Sequence, residues 1–427
     1  MGQTPPEPKR EVIIPGYSNT DIPFRSVIDI LSFHELIYEE FEVEDTDFTF
    51  KKDSPIFFGK ILYGFFEMDR LRKIWLMFTS YRIFELEELK TFVPLMGTRF
   101  LSLWGHFNTE FNANNWLDDE NLDNLKSLKG IELVSILTFN NDIFKLDILR
   151  KMRQLKLNEC PTIIGGKDWA RMNDLWLLKI DKLDETFKCN ETFEKFQNVS
   201  DLSVSRTSSC NDSSFLKFKR LRHVSLWLLP YVSGKGLRHN SKTITSLSIY
   251  SLDTFSDAEI LYLVNLESLE IRFIDSITGS NWRNLRKLKR LEVSDLRNLE
   301  NKTFSKAMVS NLEVLKIKDC SSLTGSNWNE MPNLKILNIL RQGDRNDERT
   351  WLSHEIFHVT SQSLKILKFA KVPGVDISKW PIMKNLEIFW QDIFETKKEK
   401  RKFWRRYRKL FPKLTRENFK YVSTISI

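Results

Sequence analysis

The sequence predicts an α/β solenoid, in which short parallel strands, one per repeat, alternate with return segments that bring the chain back for the next strand. Three observations predict it. A nine-position apolar pattern recurs through most of the chain, its copies are almost evenly spaced, and the 427 residues include only five alanines. The last point weighs against a helical solenoid, whose helices need small residues where they meet closely. The strand-like alternation inside the pattern weighs more heavily.

The pattern is L-x-x-L-x-L-x-x-Φ. Clear copies are Leu266-x-x-Leu269-x-Ile271-x-x-Ile274 and Leu312-x-x-Leu315-x-Ile317-x-x-Cys320. The residue opening each L-x-L is, in order, Leu101, Ile131, Leu155, Leu178, Leu202, Val224, Leu247, Leu269, Leu291, Leu315, Leu337, Leu367 and Phe389. Ten of the twelve steps between them are 22–24 residues long and two are 30. This matches the period of leucine-rich repeats. The expectation is a curved leucine-rich-repeat solenoid over 96–394 of about 13 repeats, with a parallel inner sheet.

Within L-x-L the alternation is that of a strand with one buried and one exposed face. No single unit can bury its own apolar face, so the repeats must stack. The return segments carry a second signature, W-x-x-[ML]-x-x-L-x-x-[LF], at Trp169, Trp282, Trp328 and Trp380. Thr-Gly-Ser-Asn-Trp occurs twice, ending at Trp282 and Trp328, two repeats apart. These tryptophans read as core rings on the convex side rather than as a ligand box.

Residues 1–20 are Pro-rich, polar and read as disordered. The start of the chain has no apolar signal core, and Pro6 stands where a myristoylation signal needs Ser or Thr. No stretch is long and apolar enough for a membrane span. The expected location is the cytoplasm or nucleus, where a sequon such as Asn190-Glu-Thr192 has no meaning. Four scattered cysteines, Cys160, Cys189, Cys210 and Cys320, do not make a disulfide framework, and no C-x-x-C suggests zinc. The formal charge is +8, but the segment Lys397–Arg416 alone holds eleven Lys/Arg and one Glu. The basicity therefore belongs to a tail, and a whole-protein nucleic-acid reading loses its main support.

The copies Leu155-Lys-Leu157-Asn-Glu-Cys160 and Leu315-Lys-Ile317-Lys-Asp-Cys320 resemble the cysteine-containing class of leucine-rich repeats. That class is common in F-box proteins, the substrate receptors of SCF-type ubiquitin ligases. Near the N-terminus, Asp21-Ile22-Pro23-Phe24 and Ile30-Leu31-Ser32-Phe33 resemble the opening and first helix of an F-box. Arg25 stands where the family has an acidic residue. An acidic, Phe-rich stretch, Glu39–Lys52, follows where further short helices belong. A later helix is expected over Leu71–Phe78 from its apolar spacing. The resemblance implies that Ile22, Pro23, Ile30, Leu31 and Phe33 meet the ligase adaptor. The alternative for 21–95 is a plain helical cap over the first repeat.

Motifs for chemistry are sparse. His354-Glu355-Ile356-Phe357-His358 matches the zinc-protease pattern H-E-x-x-H, yet no third histidine follows and it sits inside one of the long repeats. Ile164-Gly165-Gly166-Lys167 is too short for a phosphate loop, and no G-x-S-x-G occurs. The chain is expected to be no enzyme, and no cofactor or metal is expected.

Binding is expected on the concave face. Most residues inside or just after L-x-L are Ser, Lys, Asp or Glu, but the central repeats offer Trp227, Tyr250, Arg272 and Phe273, residue types typical of hot spots. Lys156, Lys179, Lys316 and Lys318 would flank this patch and steer an acidic protein partner. In the tail over 395–427, Phe403, Tyr407, Leu410 and Phe411 share one helical face. That face is expected to cap the last repeat, leaving the cationic face for an import factor or weak nucleic-acid contact. As a whole, the sequence reads as a ligase substrate receptor or, alternatively, as a leucine-rich-repeat scaffold or inhibitor with no ligase link.

Overall fold

The computed structural model describes residues 62–68, 71–78, 98–105, 129–136, 144–340, 353, 355–360, 362–370, 377–391, 397–415 and 418–420. The chain forms two compact units, Met1–Phe196 and Gln197–Ile427. In the first, β1 (Leu62–Met68) pairs antiparallel with β2 (Leu71–Phe78). Parallel pairing then runs from β2 through β3 (Thr98–Gly105), β4 (Gly130–Val134) and β5 (Gln154–Asn158) to β6 (Leu177–Asp181). The second unit holds β7 (Asp201–Ser205), β8 (His223–Trp227), β9 (Ser246–Tyr250), β10 (Ser268–Arg272) and β11 (Arg290–Ser294). It continues with β12 (Val314–Lys318), β13 (Ile336–Leu340), β14 (Ile366–Ala370), β15 (Ile388–Gln391) and β16 (Phe419–Lys420). Each strand of this unit pairs parallel with the next.

Every one of the register residues from Leu101 to Phe389 lies in a strand, one per strand from β3 to β15. The register aligns them directly, as in Leu247↔Leu269↔Leu291↔Leu315↔Leu337. Leu247 and Ile249 of β9 are fully buried while Ser246, Ser248 and Tyr250 between them are half-buried. Each buried leucine stabilises the stack by about 1.5–3 kcal/mol relative to exposure. The chain is a leucine-rich-repeat solenoid.

The strands end in a shared manner. The residue just after β4 to β12 has positive φ in every repeat, namely Ser135, Glu159, Lys182, Arg206, Leu228, Ser251, Phe273, Asp295 and Asp319. This left-handed turn aims the amide at the next strand, adding one more rung to the ladder. Examples are Leu228 N to Tyr250 O (3.1 Å), Phe273 N to Ser294 O (3.0 Å) and Asp319 N to Leu340 O (3.0 Å). The rung offsets the cost of about 1–2 kcal/mol for a left-handed non-glycine residue.

The return segments bury the signature tryptophans: Trp169, Trp282, Trp328 and Trp380 are at most 5% exposed. Three stack on a phenylalanine from the preceding repeat: Trp169 on Phe144 (3.7 Å), Trp328 on Phe304 (3.9 Å) and Trp380 on Phe357 (3.9 Å). Trp282 instead donates its indole N–H to Asp257 at 2.9 Å. The same buried carboxylate accepts from Thr278 N, Thr278 Oγ1 and Gly279 N. Two repeats on, the amide oxygen of Asn301 accepts from the equivalent Thr324 N, Gly325 N and Trp328 Nε1, while its Nδ2 donates to Thr324 Oγ1. Asparagines opening the N-L-x-x-L step add further ties, with Asn265, Asn311, Asn333 and Asn385 each donating Nδ2 to a carbonyl of the repeat before.

One expected element is corrected. Leu71–Phe78 is a strand, not a helix. Two apolar runs, Leu62–Met68 and Leu71–Phe78, flank two polar residues, which is a hairpin pattern as well as a helical one. Pairing β2 with β3 extends the parallel ladder, which isolated helical spacing could not foresee. Ile22, Pro23, Ile30, Leu31 and Phe33, expected to meet an adaptor, lie outside the described residues.

At the other end, the helix Lys397–Tyr407 lays Phe403 on Phe389 (5.9 Å), while Phe411 packs on Phe389 (5.5 Å) and Trp380 (6.3 Å). Tyr407 and Leu410 are half-buried, and Arg401, Lys402, Arg405, Arg406, Arg408 and Lys409 are exposed.

Cys160 and Cys320 are free, buried thiols. Burial pushes both up to about 12. Cys189 and Cys210 are buried as well.

Candidate interaction surface

Trp227, Tyr250 and Arg272 are the last residues of β8, β9 and β10, and the register sets them side by side, Trp227↔Tyr250↔Arg272. Phe273 follows Arg272 at the left-handed position, with φ 56°. The four residues singled out in the sequence therefore meet on one edge of the second unit. Trp227 is 42% and Phe273 54% exposed, while Tyr250 and Arg272 are half-buried. Phe273 points outward because the left-handed turn reverses the alternation that would have sent it toward the core.

The edge is held together by polar contacts between repeats. The Arg206 guanidinium lies over Trp227 (5.3 Å), the Trp227 and Tyr250 rings are 6.3 Å apart, and Arg272 lies over Tyr250 (5.1 Å). Tyr250 donates its hydroxyl proton to Glu270. Burial and this bond raise the Tyr250 phenol above its ordinary range. Arg272 bridges Glu270 and Glu292, each at 2.6 Å. Glu292 also takes Lys316 (3.0 Å) and Arg290 (3.3 Å). Burial disfavours the charge on Glu292, but the bond from Lys316 and the neighbouring cations outweigh it and hold the carboxyl below the usual range.

These pairings change the electrostatic expectation. Lys316 is committed to Glu292, and in the first unit Lys156 is paired with Glu132 at 3.2 Å. The ground beside Phe273 is acidic instead. An open groove of about 520 Å3 there is walled by Asp253, Asp275, Asp295, Asp319 and Arg297. Sequence reasoning missed these aspartates, and also Leu228, which is 42% exposed at the left-handed position of its own repeat. The signal was available, because each stands at a fixed offset from L-x-L.

The other motifs named from the sequence lie away from this edge. Gly166 N donates to Thr192 Oγ1 at 2.9 Å, so the Gly-Gly-Lys turn is tied to its own unit. Glu355 and His358 are exposed on the short helix Glu355–Thr360, and His354 lies outside the described residues. Among the described residues no three His, Cys, Asp or Glu side chains gather as metal ligands. Among them too, no helix is long and apolar enough to cross a membrane.

No protein-family model matches the chain, and no curated protein matches it. Among solved structures it is similar to the Toll–Spatzle complex of Drosophila, with 10% identity over 78% of this chain and 48% of that one and a TM-score of 0.51. It is also similar to the TLR13–ssRNA13 complex, with 16% identity over 73% and 50% and a TM-score of 0.49. A circular leucine-rich-repeat protein aligns with 14% identity over 84% and 55% and a TM-score of 0.42. The chain spans about half the length of these solved chains. At such identities the likeness to the Toll chain concerns the fold alone.

Proposed function

We propose that the chain is a non-catalytic binding protein, and that a protein partner docks on the edge formed by Trp227, Tyr250, Arg272 and Phe273. The observation that carries this reading is the exposure of Trp227 and Phe273 beside an arginine and a tyrosine already fixed by ion pairs and ring contacts. Exposed aromatic and arginine side chains of this kind are where interface energy concentrates. Holding them rigid before binding lowers the entropy lost on association.

A finer reading joins this edge to ubiquitin transfer. In it, residues 21–80 hold the adaptor of an SCF-type ligase through Ile22, Pro23, Ile30, Leu31 and Phe33, in the cytoplasm or nucleus. The edge then raises the local concentration of a target beside the ligase. Its support is the sequence resemblance over 21–33, and the strand at Leu71–Phe78 removes the later helix that would have extended it. The alternative is a scaffold or inhibitor with the same edge and no ligase.

The test is affinity purification of the tagged full-length chain beside two variants, Trp227→Ala/Phe273→Ala and Ile22→Ala/Pro23→Ala/Ile30→Asp. The docking reading requires the first variant to lose a defined partner while staying folded, and it fails if every partner is retained. The ligase reading requires adaptor and cullin with the parent and their loss from the second variant alone. If the parent captures neither, the scaffold remains.

A further inference from the structure

The groove beside Phe273 has a chemistry of its own. Its walls form two columns, one residue per repeat in each. Phe273, Asp295 and Asp319 occupy successive left-handed positions. Two residues past Ser251, Phe273 and Asp295 come Asp253, Asp275 and Arg297. The groove therefore carries four carboxylates against one guanidinium, with a ring more than half exposed among them. Among the cations of the adjoining strands, Arg272 is paired with Glu270 and Glu292, and Arg290 and Lys316 share Glu292. At about 4.8 Å per strand, the loops after four neighbouring strands extend the acidic ground over roughly 14 Å, the length of about four extended residues.

We infer that this groove takes an extended basic peptide segment of a protein partner. One arginine or lysine lays its methylenes over Phe273 and turns its head group to the aspartates, using the ring face and the carboxylates together. Arg297 replaces the aspartate found at the same loop position in the two preceding repeats. The cationic residue of the peptide therefore sits toward Asp253 and Asp275. The four carboxylates disfavour a phosphate backbone here. This inference rests on the docking reading above and gives its partner a chemical class.

The probe is a fluorescein-labelled peptide of alternating arginine and leucine, with glutamate-for-arginine as its counterpart, titrated into the full-length chain and followed by anisotropy. The arginine peptide is expected to bind and the glutamate peptide not. Phe273→Ala and Asp253→Asn/Asp275→Asn are each expected to weaken binding about tenfold, the range for a hot-spot contact. Glu300→Gln/Glu330→Gln, which neutralises two carboxylates outside the groove, should change it less than about twofold. Asp253, Asp275 and Glu330 are exposed, and urea melts of each variant check that it stays folded. Equal binding by parent and groove variants would overturn the inference, as would an equal loss in the control. Self-association of the parent that Phe273→Ala abolishes would also overturn it, since the occupant would then be the basic tail of a second copy. If the peptide fails to bind while Trp227→Ala/Phe273→Ala still loses a captured partner, only the basic-peptide inference falls and the docking edge stands.

Discussion

The indole N–H of Trp282 donates to the carboxylate of Asp257 across 2.9 Å, tying a return segment to the helical turn of the repeat before it. Asp257 is 7% exposed and gathers three other donors from Thr278 and Gly279. Removing it leaves buried N–H and O–H groups without an acceptor, each loss worth about 1–3 kcal/mol. Asp257→Ala is expected to lower stability by about 3 kcal/mol. Asp257→Asn should cost about half of that, because an amide oxygen does the same work at Asn301. Urea denaturation of the two variants checks this, and an unchanged midpoint for Asp257→Ala would refute it.

Phe273 reverses the usual ranking of alanine over glycine. At φ 56° an L side chain is strained whatever its size, and glycine is not. Phe273→Gly is therefore expected to be about 1 kcal/mol more stable than Phe273→Ala. Thermal melts of the pair decide it, and alanine melting higher would show that the left-handed turn is wrongly placed.

The Glu292 cluster predicts an acid-side loss of stability. Its carboxyl titrates below its ordinary value in the folded chain, so its contribution is present above the ordinary range and fades as pH falls through the folded value. Glu292→Gln is expected to be less stable than the parent near neutrality and to lose less on acidification from about pH 5 to pH 3. Chemical melts across that range would show parallel slopes for parent and variant if the cluster contributes nothing.

Thiol chemistry supplies a further check. Cys160 and Cys320 are buried and pushed up to about 12. The native chain should give no rapid reaction with a thiol reagent at pH 8. Unfolding should expose both thiols to the reagent. Rapid labelling of Cys160 or Cys320 in the native chain would contradict their burial.

The strand positions were legible because a repeat states the same rule many times. The leucines from Leu101 to Phe389 mark their strands without exception, since each must be buried by neighbours built alike. Leu71–Phe78 was misread because a run of large apolar residues fits both periods, and only pairing with β3 decides between them. The edge residues Trp227, Tyr250, Arg272 and Phe273 could be named from their offsets. Their ion pairs were half legible: Glu270 stands two residues before Arg272 on β10, whereas Glu292 reaches it only through the pairing of β10 with β11. The aspartates beside Phe273 went unread, although each stands at a fixed offset from L-x-L.

The left-handed column is filled by Ser135, Glu159, Lys182, Arg206, Leu228, Ser251, Phe273, Asp295 and Asp319, yet the backbone there stays alike from repeat to repeat. Ser135 apart, each of these side chains is half-buried or exposed. If the edge docks a partner as proposed, recognition and folding lie on separate registers of the same repeat. Mutation can rewrite this line of side chains letter by letter while the leucines behind it keep the spring wound, so a change of partner need not begin with a loss of structure.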